Sequence, residues 1–267
     1  MDVNAAHSPR AGLAGLSETL LRRFKTFTHA LLLLPLYSVG CLIVGTAVIP
    51  GLLLISWVRS VNESLPLVLK LWTFGAAVGG SYLLYGFSIL LIVPLTNWML
   101  GCRLTPWRGP YYSLASIRWY IHNGATYIVR YSFLEFVTPT PFNLMFYRLM
   151  GMTIGEGTII NSTHISDPSL ITLGKKVTLG GSCTIVGHYG QGGFLVLAPV
   201  KIGDYATIGL RATIMGGVKI GEGAKILPNS VVLPKTVIPD GETWGGVPAQ
   251  RLGMGGQSRR KRALKAA

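Results

Sequence analysis

The feature that most constrains the fold is a six-residue period between Ile202 and Trp244. A large apolar residue returns at every sixth position: Ile202, Ile208, Ile214, Ile220, Ile226, Val232, Ile238 and Trp244. Side chains repeat every 3.6 residues on a helix and every 2.0 on an ordinary strand, so neither element explains this pattern. Eight successive positions in register predict a repeat architecture built from hexapeptides.

Small or β-branched residues occupy a second slot, two places before the large one. They are Ala206, Ala212, Val218, Ala224, Ser230 and Thr236. This combination predicts a left-handed parallel β-helix, in which three hexads form one triangular coil of about eighteen residues. We expect the large residue to fill the prism and the small one to fit its corner.

The hexads begin before Ile202 and are interrupted twice. Earlier positions of the large residue are Ile154, Ile160, Leu173, Leu179 and Ile185. An irregular piece, Thr163–Ser169, separates Ile160 from Leu173. The seventeen positions from Ile185 to Ile202 equal two hexads plus five residues, which predicts a loop extruded at His188–Gly193. This count places Ile185 on the face that holds Ile208, Ile226 and Trp244.

The first hundred residues are those of a membrane protein. Only 13% of the chain is charged and its mean hydropathy is +0.46. Thr28–Val58 and Leu71–Cys102 contain no Asp, Glu, Lys or Arg, and each exceeds the roughly 20 residues that cross a bilayer. We predict a transmembrane helical hairpin linked by Arg59–Lys70. Four shorter segments, or buried helices of a soluble protein, are the alternatives.

Basic residues set the expected orientation and partner. Four precede the first span: Arg10, Arg22, Arg23 and Lys25. The link carries Arg59 and Lys70, whereas Arg103 and Arg108 follow the second span. The excess of positive charge places the N-terminus and everything after residue 102 in the cytoplasm, in a multi-pass inner-membrane protein. The net charge is +14, and because the basic clusters lie beside apolar spans, we favour anionic lipid over nucleic acid as a partner.

These patterns divide the chain into five parts. They are a basic segment (1–27), the transmembrane region (28–102), an aromatic connector (103–150), the β-helix (151–253) and a disordered basic tail (254–267). The connector has the composition of amphipathic helices that lie among lipid headgroups. An alternative is that its Arg118 and Arg130 hold an anionic headgroup.

The three cysteines indicate neither a disulfide framework nor a zinc site. Cys41, Cys102 and Cys183 are scattered and form no CxxC pair. Cys183 falls in the small-residue slot of a hexad, so we expect it to be a packed corner residue.

The hexads, Gly187-His188 and the closing Trp244-Gly-Gly-Val-Pro-Ala249 resemble the hexapeptide-repeat acyltransferase family. A narrower likeness runs through the wider chain. Arg118-Trp119, Thr138-Pro-Thr-Pro141, Arg148-Leu-Met-Gly-Met152 and Asp167-Pro-Ser-Leu-Ile171 are similar to the membrane-attached C-terminal region of ε-poly-lysine synthetase-type peptide synthetases and its stand-alone relatives.

This resemblance implies a mechanism. Acyl-CoA, by default acetyl-CoA, lies in a groove between adjacent prisms of a homotrimer. A loop histidine, here His188, removes a proton from an acceptor hydroxyl or amine. The residue type agrees, because histidine is a common general base and loops on rigid scaffolds often carry function. The other interpretation of His188 is a surface residue without a role.

Asp167 and His164 are further catalytic candidates. Asp167 precedes His188 by 21 residues, about one coil plus three, so its carboxylate can orient the ring from the neighbouring coil. It can equally be an Asp-Pro turn residue. His164 either faces the acceptor or belongs to the same turn.

The resemblance also implies a CoA-binding segment after Trp244. Gly245, Gly246, Pro248 and Ala249 match the family ending that lies against the cofactor, where glycine lets backbone approach closely. Three cations are candidates for the phosphates, or are ordinary solvated charges: Lys225, Lys235 and Arg251.

Two other functions share the prism. A γ-class carbonic anhydrase needs three metal-binding histidines, but the prism contains only His164 and His188, so no metal is expected. A non-catalytic membrane scaffold would use the prism only to trimerise. We favour an acyltransferase that acts on a membrane-associated acceptor, such as a lipid-linked glycan or an amine.

Overall fold

The computed structural model describes residues 7, 8 and 10–252, which fall into two compact units. One unit contains the described residues 103–119 and 137–252, and the other contains the described residues 7, 8, 10–102 and 120–136. The predicted basic tail (254–267) lies outside the described residues. The predicted division into five parts remains a proposal.

The described residues form five α-helices and one π-helical turn. They are α1 (Gly12–Arg23), α2 (Lys25–Val61), α3 (Leu67–Met99), α4 (Leu114–Val129), the π-helical turn Arg130–Leu134 and α5 (Pro141–Leu149). The two long apolar helices were predicted, and the link between them is shorter than Arg59–Lys70 because both helices extend into it.

Helices α2 and α3 pack closely against each other at Gly51. The Ser81 hydroxyl donates to the Gly51 carbonyl at 2.9 Å, and a Cβ added to Gly51 would lie 2.8 Å from the Ser81 Cβ. At the link, the Asn62 side-chain amide donates to the Thr73 hydroxyl. The two apolar helices therefore form a hairpin with specific contacts at its end and near its middle.

The helical unit exposes much of its apolar surface. Leu34–Val61 and Leu67–Met99 are long and apolar enough to cross a membrane. Large side chains such as Leu53, Trp57 and Trp72 are more than half exposed. A contiguous apolar surface of this kind is a weak indication of membrane association.

The other unit is built on a parallel β-helix with three sheets. The first sheet contains Thr153–Ile154, Ile171–Leu173, Val200–Ile202, Lys219–Ile220 and Val237–Ile238. The second contains Ile159–Ile160, Thr178–Leu179, Thr207–Ile208, Lys225–Ile226 and Thr243–Gly245, with Gln250–Arg251 antiparallel at its edge. The third contains Ile165–Ser166, Thr184–Val186, Thr213–Ile214 and Val231–Val232.

The side chains fill the prism as the hexads predicted. Ile208, Ile214 and Val232 are fully buried, and so are the small corner residues Ala206 and Ala212. Burying these branched side chains supplies the main stabilising term, about 1.5–3 kcal/mol for each. The three-sheet architecture agrees with the predicted prism.

Cys183 is one of the buried corner residues, as its slot predicted. Burial raises the pKa of its thiol to about 12, since a desolvated thiolate is unfavourable.

The predicted position of Ile185 is wrong. Ile185 pairs with Ile214 in the third sheet, whereas Leu179 occupies the place beside Ile208. The excursion from the coil is longer than a loop at His188–Gly193. It is an antiparallel hairpin of His188–Gln191 and Phe194–Leu197, so only one hexad step separates Ile185 from Ile202.

Candidate functional site

Both interruptions of the repeat follow successive strands of the third sheet. Ser166 pairs with Val186 in the parallel ladder, so the residues that follow each strand leave the sheet at the same corner. Asp167 turns there in the left-handed conformation, with φ of 62°, and a 3₁₀ turn, Pro168–Leu170, comes next. One coil later Gly187 leads into the hairpin. The register itself therefore brings Asp167 close to His188.

Asp167 is the centre of a hydrogen-bonded group. Its Oδ2 lies 2.5 Å from His188 Nδ1 and accepts from the Gly187 amide at 3.0 Å. Its Oδ1 accepts from the Trp119 indole Nε1–H at 2.9 Å. The residue is completely buried. A buried carboxylate is costly unless donors satisfy it, and these three donors converge on both of its oxygens.

His188 reaches solvent, whereas Asp167 does not. Its side chain is 23% exposed while that of Asp167 is 0% exposed. An ionised carboxylate only accepts hydrogen bonds, so we assign the Nδ1 proton to the bond with Asp167. That tautomer leaves the Nε2 lone pair available to take up a proton. The pair has the arrangement of a general base with an orienting carboxylate.

Gly187 allows the two coils to approach. A Cβ added at this position would lie 2.9 Å from the Leu170 Cβ and 3.0 Å from the Asp167 Cβ. The contact with Leu170 is closer than real Cβ atoms come, and the contact with Asp167 is tighter than nine in ten of those observed. A glycine before His188 is therefore a geometric requirement of the corner.

The hairpin is braced by the segment that precedes α4. Trp107–Pro110 pairs antiparallel with Phe194–Leu197 and makes the hairpin a three-stranded sheet. Its base is closed by the Ala198 amide, which donates to the Gly187 carbonyl at 2.8 Å. An apolar cluster lies beneath it, formed by Leu104, Leu170, Leu195 and Leu197 with Trp107, Tyr111 and Trp119. The packing fixes the hairpin that carries His188.

His164 lies three residues before Asp167 but does not share its burial. Its side chain is exposed, and its backbone carbonyl accepts from the Ile185 amide at 3.0 Å as part of the regular ladder. Ile165, the next residue, faces the core. His164 therefore lies on the outer surface of the coil.

Lys235 is the predicted cofactor residue that lies at the His188 corner. It follows the third-sheet strand Val231–Val232, and its Nζ is 5.9 Å from the ring centroid of Tyr189. Lys225 lies on the second sheet and is exposed. Only Lys235 of these two is thus adjacent to the hairpin.

The segment after Trp244 closes the end of the prism. The Val231 amide donates to the Gly246 carbonyl at 3.0 Å, and the Ala249 amide donates to the Val231 carbonyl at 2.8 Å. Gly245 pairs with Gln250, and Pro248 lies in the turn between them. The chain therefore folds back along the second sheet. Arg251 forms an ion pair with Glu242 at 3.0 Å, which partly neutralises its charge.

Within the described ranges, no group of three or more His, Cys, Asp or Glu side chains is placed to hold a metal ion. His164 is exposed, whereas His188 is partly buried beside Asp167.

Comparison with known families agrees with the repeat. The family model described as bacterial transferase hexapeptide (six repeats) matches residues 199–234. The prism is a hexapeptide-repeat domain. This confirms the resemblance that the hexads predicted.

Several curated proteins are similar to parts of the chain. Delta-poly-L-ornithine synthetase of Acinetobacter baumannii is 27% identical over 146 residues, which are 55% of this chain and 11% of that protein. Gamma carbonic anhydrase 2, mitochondrial, of Arabidopsis thaliana is 35% identical over 103 residues, 38% of this chain and 33% of that protein. A Bacillus subtilis protein provisionally named an acetyltransferase is 27% identical over 148 residues, 50% of this chain and 83% of its own length.

The match to Delta-poly-L-ornithine synthetase fits the predicted likeness to membrane-attached regions of peptide synthetases. The matched part of this chain spans only 11% of Delta-poly-L-ornithine synthetase and 33% of the carbonic anhydrase.

Trp119 is the site residue that sequence reasoning missed. It entered only as part of the Arg118-Trp119 motif of the resemblance. The indole contacts a carboxylate 48 residues away, and its ring lies 5.0 Å from the His188 ring in an edge-to-face arrangement. Neither periodicity nor spacing carries information about such a contact.

Proposed function

We propose that this protein is an acyltransferase. It moves an acyl group, by default acetyl, from acyl-CoA to a hydroxyl or amine of a membrane-associated acceptor. The observation that carries the proposal is the His188–Asp167 pair, with its solvent-reaching imidazole and completely buried carboxylate.

In the proposed reaction His188 Nε2 takes the proton of the acceptor O–H or N–H. The acceptor lone pair attacks the thioester carbonyl carbon, the C–S bond then breaks, and the departing sulfur receives the proton from the imidazolium. The products are the acylated acceptor and free CoA thiol. Asp167 keeps the ring in the required tautomer and stabilises the imidazolium that forms.

The prediction of acyl-CoA as co-substrate rests on the resemblance to hexapeptide-repeat acyltransferases. The provisional acetyltransferase name of the Bacillus subtilis relative supports it. For CoA we retain Gly245, Gly246, Pro248 and Ala249 near the closing turn. Lys235 is the first candidate for a phosphate, because it lies at the His188 corner. Lys225 is second, and Arg251, which pairs with Glu242, is third.

We also retain the homotrimer, with acyl-CoA in the groove between adjacent prisms. His164 stays a candidate for facing the acceptor from the outer coil surface. Its exposure supports that role more than a role beside Asp167.

The membrane hairpin limits the acceptor to molecules held at a bilayer. Exposed apolar side chains along α2 and α3 would be unfavourable in water and favourable in lipid. The charge asymmetry supports an inner-membrane protein whose N-terminus and hexapeptide-repeat domain are cytoplasmic, where acyl-CoA is made. Anionic lipid is the proposed surface partner of the basic segments.

The test is acetyl-CoA turnover by the full-length protein in detergent or nanodiscs. CoA-thiol release is measured with water as the basal acceptor and then with amines, sugars and a lipid extract. We expect His188→Ala to reduce release by about 10²–10⁴-fold, the usual contribution of a general base. Gln191→Ala, an exposed change on the same hairpin, is the matched control and keeps wild-type activity.

Unchanged turnover in His188→Ala would remove the base assignment. A wild-type protein that binds no acetyl-CoA would instead favour the trimeric scaffold.

The membrane proposal has its own test. The protein should remain in the membrane fraction after an alkaline carbonate wash, and a reporter fused after residue 267 should be cytoplasmic. A reporter found outside the cytoplasm would contradict the topology and the access to acyl-CoA.

A further inference from the structure

We propose that Trp119 is a positioning residue for the His188–Asp167 pair. The role rests on the acyl transfer proposed above and adds a third member to its machinery. Trp119 acts through Asp167, so it needs no contact with substrate.

The hydrogen bonds to the Asp167 carboxylate are divided between its two oxygens. Gly187 and His188 both address Oδ2, whereas the Trp119 indole addresses Oδ1 at 2.9 Å. A donor on the second oxygen fixes the rotation of the carboxylate plane. Rotation of that plane would swing Oδ2 away from His188.

Trp119 also contacts the proposed general base, His188. The Trp119 ring lies 5.0 Å from the His188 ring at an interplanar angle of 74°. Edge-to-face geometry is a favourable aromatic arrangement. One indole therefore restrains both members of the pair, through its N–H on one and its ring on the other.

The Trp119 ring is itself held in place by packing. Tyr111 packs edge-to-face on it at 6.4 Å, and the cluster under the hairpin adds Leu170 and Leu197. A donor whose own position is fixed by packing is preorganised, which is what orientation of a general base requires.

The experiment compares Trp119→Phe with Trp107→Phe in the full-length protein. Phenylalanine keeps an aromatic ring but has no N–H. Trp107 packs on the same cluster from the strand that braces the hairpin, so it is a matched control for loss of indole packing. For Trp119→Phe we expect kcat for acetyl-CoA turnover to fall about tenfold with little change in KM, as when orientation alone is lost.

A double variant separates positioning from general packing. If Trp119 acts through the pair, Trp119→Phe causes no further loss of kcat in a His188→Ala background. The proposal is overturned if Trp107→Phe lowers kcat as much as Trp119→Phe does, or if Trp119→Phe changes only KM. It is also overturned if Trp119→Phe lowers kcat by the same factor in the His188→Ala background.

A spectroscopic readout keeps the inference testable apart from activity. The His188 Nδ1–H resonance, in ¹⁵N-histidine-labelled protein, should be protected in the wild type and in Trp107→Phe. It should broaden or vanish in Trp119→Phe. An inactive wild type would refute the proposed function, while this resonance would still decide whether Trp119 positions the pair. A resonance that is identical in both variants refutes the positioning role.

Discussion

The regular coils and the interrupted corner of the hexapeptide-repeat domain use opposite physical means. From Ile202 to Trp244 each strand is short, the buried residues are apolar except for Ser230, and one hexad predicts the next. At the corner after the third sheet the chain buries a carboxylate and leaves the coil for a hairpin. The repeat therefore supplies stability and register, whereas the interruptions of the repeat supply the buried polar group.

The two interruptions of the repeat still depend on the regular coils of the prism. Asp167 and Gly187 become neighbours only because Ser166 and Val186 pair in the ladder beneath them. A rigid parallel register thus converts a separation of 21 residues into a hydrogen bond. Changes in the corner should therefore affect activity, and changes in the coils should affect stability.

The largest expected effect is that of Asp167→Asn. Asparagine tolerates the left-handed conformation and keeps the shape, but it has no charge to orient His188 or to stabilise the imidazolium. We expect acetyl-CoA turnover to fall about 10³-fold. Asp204→Asn is the matched control, because Asp204 only accepts from the Lys175 amide at a regular corner. Equal activity of the two variants would mean that the corner carboxylate has no special role.

Ile208→Ala tests whether the regular coils supply stability rather than activity. Ile208 is fully buried in the regular stack, so its truncation should lower the free energy of unfolding by about 2–5 kcal/mol. Chemical denaturation measures the loss. Activity per folded molecule should stay near wild type at low temperature. A large fall in activity without loss of stability would show that the coils do more than support the corner.

Two glycines give a smaller and matched contrast. In Gly187→Ala the new Cβ would meet Asp167 and Leu170, so the hairpin must move away and turnover should fall about tenfold. In Gly180→Ala the new Cβ would lie 2.7 Å from the Leu210 amide nitrogen, so the melting temperature should fall instead. If both variants lose activity in proportion to stability, the corner and the coils do not have the separate roles assigned to them.

The smallest effect is expected at Cys183. Because burial raises the pKa of its thiol to about 12, almost no thiolate is present at pH 8. Iodoacetamide should modify Cys183 only after denaturation, as followed by mass spectrometry. Modification of the native protein at the rate of the unfolded chain would indicate that this coil opens.

Much of the fold could be predicted because the hexad period follows directly from packing inside a prism. The helix boundaries near residues 61 and 67 were close to expectation, since uncharged runs end where helices leave an apolar environment. The error at Ile185 has a physical cause. Phe194–Leu197 is an apolar strand of the hairpin, and such a strand resembles a hexad strand when only the sequence is counted.

The candidate site could be predicted in part. His188 and Asp167 mark breaks in the repeat, so their proximity could be inferred from the length of a coil. Trp119 could not, because its contact depends on how the segment before the prism folds against the hairpin. The roles of all three remain predictions that activity must test.

The most direct measurement is the rate of CoA-thiol release from acetyl-CoA by four proteins. They are the wild type, Asp167→Asn, His188→Ala and the double variant. If one polar pair performs the chemistry, the double variant is no slower than His188→Ala alone. Losses that multiply in the double variant would show that the two residues act independently and would contradict this account.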